Sequence, residues 1–263
     1  MITSLQNQRI KDIVKLSNVR ERRKQERFLI EGARELSLAV SVGDYGIIKL
    51  FACDELLSVE AKLLIRKWGM PVEKVSAEVF RKMAYREKSD GIIAVSKPKH
   101  LSLSEVRLSA NPFVVALEAV EKPGNLGAIL RTVDAVRVDA VIVCDPKTDI
   151  FNPNVIRSSI GCVFTRQVVA CSSEEALQWL RQNNIRILAA DLSASELYYK
   201  TDFTQPTAIV MGTEDRGLSN FWLKNADCRI KIPMQGYADS LNVSVSAAVL
   251  TFEAMRQRNM ISN

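Results

Sequence analysis

The feature that most constrains this chain is a series of short, near-continuous apolar runs in its second half. They are "FVVALEA" (113–119), "DAVIVCD" (139–145), "TRQVVAC" (165–171), "IRILAADL" (185–192), "TAIVMG" (207–212) and "DCRIKIP" (227–233). A strand with one wet face alternates apolar and polar residues, and these do not. Helical patterns separate most of them. Strands apolar on both faces and alternating with helices demand a parallel sheet covered on both sides. Ligands of such sheets bind beyond the carboxyl ends of the strands. Three loops at such ends, 118–128, 211–219 and 232–242, mix Gly with polar residues and are expected to converge on one site.

The first 95 or so residues read as a separate, compact α/β unit. "FLIEG" (28–32) is a short buried strand ending at a glycine, and "GIIKLFAC" (46–53) is another. "VEAKLLIRKWG" (59–69) is a helix closed by Gly69, and 71–76, 78–85 and 91–97 repeat strand, helix and strand. "KPKHLSLSEVRLSANP" (97–112) breaks the pattern with two prolines and several serines, so it reads as a linker that permits movement. The expected division is 1–96, a linker at 97–111, and 112–263.

Charge divides the same way. Residues 1–99 hold 20 Lys and Arg against 13 Asp and Glu, and the remaining 164 hold 16 against 17. The stretch 9–27 carries eight basic and three acidic side chains, with Ile10, Ile13, Val14 and Leu16 at helical spacing. We read it as a basic helix whose Arg9, Lys11, Lys15, Arg20, Arg22, Arg23, Lys24 and Arg27 face a polyanion, displacing counterions from phosphates. The plainer reading is a solvated helix face laced with pairs such as Arg22 near Glu26. No apolar run approaches the ~20 residues that span a membrane. The N-terminus lacks a signal-peptide core, and five scattered cysteines without a C-x-x-C pair suit buried thiols in a reducing compartment. The reading is a cytoplasmic protein with no metal site.

Each of the three loops carries a modest signal. "EKPGNLGAILRTVDA" (121–135) is a glycine-bearing strand-to-helix turn, matching neither the dinucleotide fingerprint nor a P-loop. An ordinary tight turn explains it, except for Arg131. A lone Arg in an otherwise apolar helix is costly unless it meets something negative. In "AIVMGTEDRGLS" (208–219), Gly212 would let a ligand approach the backbone, and Glu214 could accept hydrogen bonds or merely be an exposed acid. In "IPMQGYADSLNVSVSAAV" (232–249), Ser240 or Asn242 can cap the following helix, whose small residues suit close packing.

Order and spacing together say more. The series P-G-N-L-G-x-I-x-R-T, M-G-T-E-x-x-G-L-S and I-P-M-x-G-x-x-x-S-L-N-V-S-V-x-A-A-V resembles the three signature motifs of the SpoU (TrmH-type) RNA 2′-O-ribose methyltransferases. The resemblance covers about 113–258. Residues 1–95 are similar to the substrate-binding domain that many members carry. Lys122 and the Asp215-Arg216 pair depart from the usual pattern and bear on RNA specificity, not on the reaction.

The resemblance implies a small α/β RNA-binding domain followed by a parallel-sheet SPOUT domain with a deep trefoil knot. It implies S-adenosylmethionine as cofactor, held by Leu192, Gly212, Ile232, Met234 and Leu241. Arg131, Asn125, Glu214, Ser240 and Asn242 become the catalytic set. Arg131 is expected to clamp the phosphate beside the target ribose and steady the developing alkoxide, since a guanidinium gives up its proton too reluctantly to be a base. RNA is the implied substrate, ribosomal RNA before tRNA, and a homodimer the implied assembly, its site completed across the interface. A non-catalytic RNA-binding protein on the same fold would have lost Arg131, Glu214 or Asn242, and none is lost. A nucleotide-dependent oxidoreductase lacks its glycine fingerprint here.

Overall fold

A computed structural model describes residues 1–43, 45–213 and 215–259. In chain order the elements are α1 (Gln8–Lys15), α2 (Val19–Gln25), β1 (Phe28–Glu31), α3 (Ala33–Val42), β2 (Ile47–Ala52), α4 (Val59–Trp68), β3 (Val72–Lys74), α5 (Ala77–Met83), β4 (Ile92–Ser96), β5 (Phe113–Glu118), α6 (Pro123–Ala135), β6 (Ala140–Cys144), α7 (Pro153–Ser158), β7 (Gln167–Cys171), α8 (Ser173–Gln182), β8 (Arg186–Ala190), β9 (Glu196–Leu197), β10 (Thr207–Met211), α9 (Asn220–Asn225), β11 (Cys228–Lys231) and α10 (Val243–Asn259). They form two units. One comprises Met1–Lys99 with Asp149–Thr165, the other His100–Thr148 with Arg166–Asn263.

The second unit holds the parallel sheet expected from the apolar runs. Its strand order is β7-β6-β5-β10-β8-β11-β9, and every pairing is parallel. β5, β6 and β10 are buried at every position, which is why their sequences show no alternation. One core side gathers Ile142, Cys144, Leu180, Ile187 and Val210 beneath the buried indole of Trp222. The two-residue strand β9 is too short to leave a pattern in the sequence.

The first unit is built on a mixed sheet of order β1-β4-β2-β3, with β4 antiparallel to both β1 and β2 and β2 parallel to β3. The basic stretch is not the single helix expected. Asn18 ends it by turning extended and accepting a hydrogen bond from the Arg20 N–H, so that α2 starts afresh behind an N-cap. The sequence also places 149–165 with the second half of the chain, whereas it packs into the first unit. There Phe151 and Phe164 join Phe28 and Tyr45 in an aromatic cluster, the Phe28 and Phe151 rings lying 4.5 Å apart. Arg22 ties the same segment down. Only 4% exposed, it donates from Nε to Asp149 Oδ2 at 2.6 Å and from Nη1 to the carbonyls of Leu16 and Ser17.

Candidate active site

The site is assembled at the carboxyl ends of β5, β8, β10 and β11. β10 ends at Met211, and the chain then doubles back in a tight loop. Thr213 N–H donates to the Gly217 carbonyl at 3.1 Å, and Gly217 N–H returns a bond to Thr213 O at 2.9 Å. Gly217 supplies the left-handed turn, with φ of +64°. Gly212 is required for a reason the sequence reading did not anticipate. A Cβ there would fall on the Gly217 carbonyl and the Leu218 amide, so the missing side chain makes room for the protein's own backbone.

Behind this loop lies a cavity of about 320 Å³. Leu192, Gly212, Ile232, Met234 and Leu241 all line it, as does Ser240. Five residues drawn from three separate loops therefore meet at one place. The walls combine apolar side chains with loop backbone, and Leu192 stands 58% exposed at the rim. A second cavity of about 480 Å³ shares Thr213, Asp215, Arg216, Gly217, Leu218 and Val243 with the first. Its remaining wall includes Glu118, Lys122, Asn125 and Lys147.

Asn125, near the start of α6, accepts a hydrogen bond at Oδ1 from Asn242 Nδ2 at 3.3 Å. Asn242 also caps α10, its Oδ1 accepting from the Ser244 N–H at 2.9 Å and the Ser244 hydroxyl at 2.6 Å. Asn242 is thus an N-cap that also reaches Asn125 on the wall of the second cavity. Glu118 was not singled out in the sequence. It closes β5, is 9% exposed, and accepts at Oε2 from the Ser219 N–H at 2.8 Å, holding the far end of the 213–219 loop. An acid terminating an otherwise apolar strand was the available signal. Lys147, on the loop after β6, was missed because nothing in its neighbourhood marks it.

Arg131 lines neither cavity and is exposed on α6. The premise that a buried cation there needs a partner does not hold, because the side chain is in water. Glu214 lies outside the described residues. Of the basic side chains proposed for a polyanion, Lys11, Arg20, Arg23, Lys24 and Arg27 are exposed. Arg9 pairs with Glu73 at 3.3 Å and Lys15 with Asp12 at 2.9 Å, both at the surface. Arg22 must be withdrawn from that set, since its guanidinium is buried and already bonded to Asp149. Among the described residues, no group of three metal-ligating side chains comes together, and no helix is long and apolar enough to cross a membrane.

Comparison with known proteins matches residues 112–252 to the model of the SpoU rRNA Methylase family. The chain belongs to the SpoU family. Residues 7–94 of this SpoU protein match the MRM3-like substrate binding domain. Among its relatives is the 23S rRNA (guanosine(2553)-2′-O)-methyltransferase RlmP of Bacillus subtilis, 30% identical over 95% of this chain and 97% of the relative. Among solved structures, an RNA 2′-O ribose methyltransferase shares 39% identity over 98% of this chain and 99% of its own, with a TM-score of 0.88. The SpoU methyltransferase AviRb from Streptomyces viridochromogenes, in complex with the cofactor AdoMet, aligns over 97% of this chain and 99% of its own at 28% identity and a TM-score of 0.88.

Proposed function

We propose that this SpoU protein is an S-adenosylmethionine-dependent RNA 2′-O-ribose methyltransferase acting on 23S ribosomal RNA in the cytoplasm. The observation that carries the reading is the pair of cavities that share a wall. One gathers all five residues expected of the cofactor site, and the other, sharing Thr213 and Asp215 to Leu218 with it, is lined by Asn125 and two lysines, Lys122 and Lys147.

The residues present fit the cofactor. Gly212 keeps the 213–217 loop tight, Leu192, Ile232, Met234 and Leu241 offer an apolar lining for a purine, and loop backbone supplies polar groups at the rim. S-adenosylmethionine, when bound, supplies an electrophilic methyl group to the ribose 2′-oxygen. The chain's own contribution is placement. Holding two reactants in line can supply several kcal/mol of a barrier, on the order of what well-oriented pairs achieve. Asn125, on the wall of the second cavity, is braced by Asn242, and Ser240 lines the first. Glu214 belongs to this group by its motif.

Arg131 completes the site of a second copy in this reading. It is exposed and lines neither cavity of its own chain, while α6 packs on α10, whose Val245 (47%) and Phe252 (46%) are exposed apolar side chains at helical spacing. A dimer formed through this face brings a guanidinium to the partner's ribose phosphate, where its bidentate fork steadies negative charge. Residues 1–96 act as the RNA-docking domain through the exposed Lys11, Arg20, Arg23, Lys24 and Arg27.

The test is transfer of labelled methyl from S-adenosylmethionine to rRNA and tRNA from cells lacking the gene. Label in rRNA at an alkali-resistant ribose, lost in Arg131→Ala, is the expected result. Label in tRNA alone would overturn the substrate assignment, and absence of cofactor binding would overturn the enzyme assignment. Mixing Arg131→Ala with a Gly212→Ala protein should restore activity if the arginine acts across the dimer. No recovery would place it in its own subunit.

A further inference from the structure

Cys144 and Cys171 are 27 positions apart and share no motif, yet β6 and β7 pair them directly across the sheet. Each closes its strand, and in-register residues of parallel strands point to the same face. Adjacent strands lie about 4.8 Å apart, inside the roughly 4.4–6.8 Å Cα separation that a disulfide tolerates. The two thiols are close enough that hydrogen bonding between them perturbs the ionisation of both.

Their surroundings differ in a useful way. Cys144 is fully buried in the core of the second unit. Cys171 is half-buried and lines an open groove with Ser102, Glu175, Gln178 and Trp179, so a small solute can reach it. The shared hydrogen bond lowers the Cys171 pKa below that of an ordinary thiol, although burial and the nearby Glu175 and Asp145 act in the opposite sense. The same bond, followed by burial and the neighbouring charges, pushes Cys144 far up. β7 is also the edge strand of its sheet, with a bridge from Leu101 to Val169 and hydrogen bonds between Gln167 and the Arg107 backbone, both short of its last residue. Its last residue can move toward β6 without disturbing another strand.

We propose that Cys144 and Cys171 form an oxidisable dithiol, a modification site whose reactant is a small hydroperoxide and whose product is an intramolecular disulfide. The Cys171 thiolate attacks one peroxide oxygen and breaks the O–O bond. Cys171 becomes a sulfenic acid and the other oxygen departs, protonated, as water or alcohol. Cys144 sulfur then attacks the Cys171 sulfur. The S–S bond forms, the S–O bond breaks, and hydroxide leaves with the Cys144 proton as water. Each sulfur is oxidised by one electron and the peroxide is reduced by two. The pairing holds whether or not the chain methylates RNA. Its location gives it reach on the Cys144 side, because the Cys144 carbonyl accepts from the Ala119 N–H and the chain beyond Cys144 leads to Lys147, so the ends of β5 and β6 root loops of the second cavity.

The experiment is to treat the purified full-length protein with hydrogen peroxide, block remaining thiols with N-ethylmaleimide, and map peptides without reduction. The expected product is a Cys144–Cys171 linked pair that dithiothreitol reverses, with Cys53, Cys162 and Cys228 still alkylated. In Cys144→Ser, Cys171 should proceed to sulfinic acid because its resolving thiol is gone. In Cys171→Ser, Cys144 should stay a thiol. A wild-type protein whose Cys171 goes straight to sulfinic acid, pairs with another cysteine, or does not react at all would overturn the proposal.

Discussion

Gly212→Ala is the substitution whose consequence follows most directly from the geometry. The new Cβ lands on the Gly217 carbonyl and the Leu218 amide, both backbone, so no side chain can rotate away. The Cβ would lie 2.0 Å from the Gly217 oxygen, so the loop must withdraw by about 1.4 Å or more to reach the 3.4 Å of ordinary contact. Overpacking of this kind costs roughly 1–3 kcal/mol. Withdrawal also weakens the two hydrogen bonds between Thr213 and Gly217, each worth about 0.5–1.5 kcal/mol net. Because the 213–218 loop is a shared wall of both cavities, most of this should appear in ligand affinity. A loss of ~2–4 kcal/mol raises Kd for S-adenosylmethionine by about 30- to 1,000-fold. Isothermal titration calorimetry measures it, with a thermal melt to confirm folding. Gly217→Ala is the internal control. It meets nothing within 4 Å, so it suffers only the strain of a positive φ, roughly 1–2 kcal/mol. A Gly212→Ala protein that bound the cofactor within about threefold of wild type would refute the argument that this loop shapes the cofactor site.

Arg22→Ala leaves Asp149 and two carbonyls without their guanidinium and should destabilise the protein by about 3–5 kcal/mol, read as a lowered denaturation midpoint. The same variant should leave the salt dependence of RNA binding unchanged, whereas Arg23→Ala should reduce that slope by about one. Arg131→Lys should lower kcat by at least about tenfold with cofactor Kd unchanged, because a point charge cannot reproduce the planar fork. Near-normal turnover would dismiss the phosphate clamp. Glu253 is held below its usual carboxylate pKa of 4.5 by hydrogen bonds from Arg256 and then Gln257. A depressed folded-state pKa stabilises above the unfolded value and is lost as pH falls through the folded one. Melting temperature should therefore drop between about pH 5 and 3, and Glu253→Gln should remove part of that slope.

How much could be read from the chain alone differs by element. The six apolar runs became β5, β6, β7, β8, β10 and β11; burial at every position left the plainest pattern in β5, β6 and β10, and the first-unit strands were also legible. The basic stretch was misjudged as one helix. Its apolar spacing continues to Leu16, and only the capping role of Asn18 shows that a second helix begins there. Arg22 looked like its basic neighbours, since composition cannot distinguish a solvated guanidinium from one enclosed by Asp149, a residue 127 positions away. Gly212 was noted for a ligand's approach, while the chain's own return, which also requires a glycine there, went unread. Glu118 and Lys147 went unnoticed because each acts through neighbours brought by other loops.

The sequence by itself determined the parallel sheet, the two-part organisation, the loops at the carboxyl ends, and membership of a methyltransferase family. These depend on local periodicity and on motif spacing, which are properties of a line. Tertiary structure alone decided that the five residues expected to hold a cofactor share one cavity, that residues 149–165 pack with the first unit, that Arg131 lines neither cavity, and that two distant cysteines pair across the sheet. Those facts depend on strand register and loop closure, which bring together residues whose separation along the chain carries no trace of their contact.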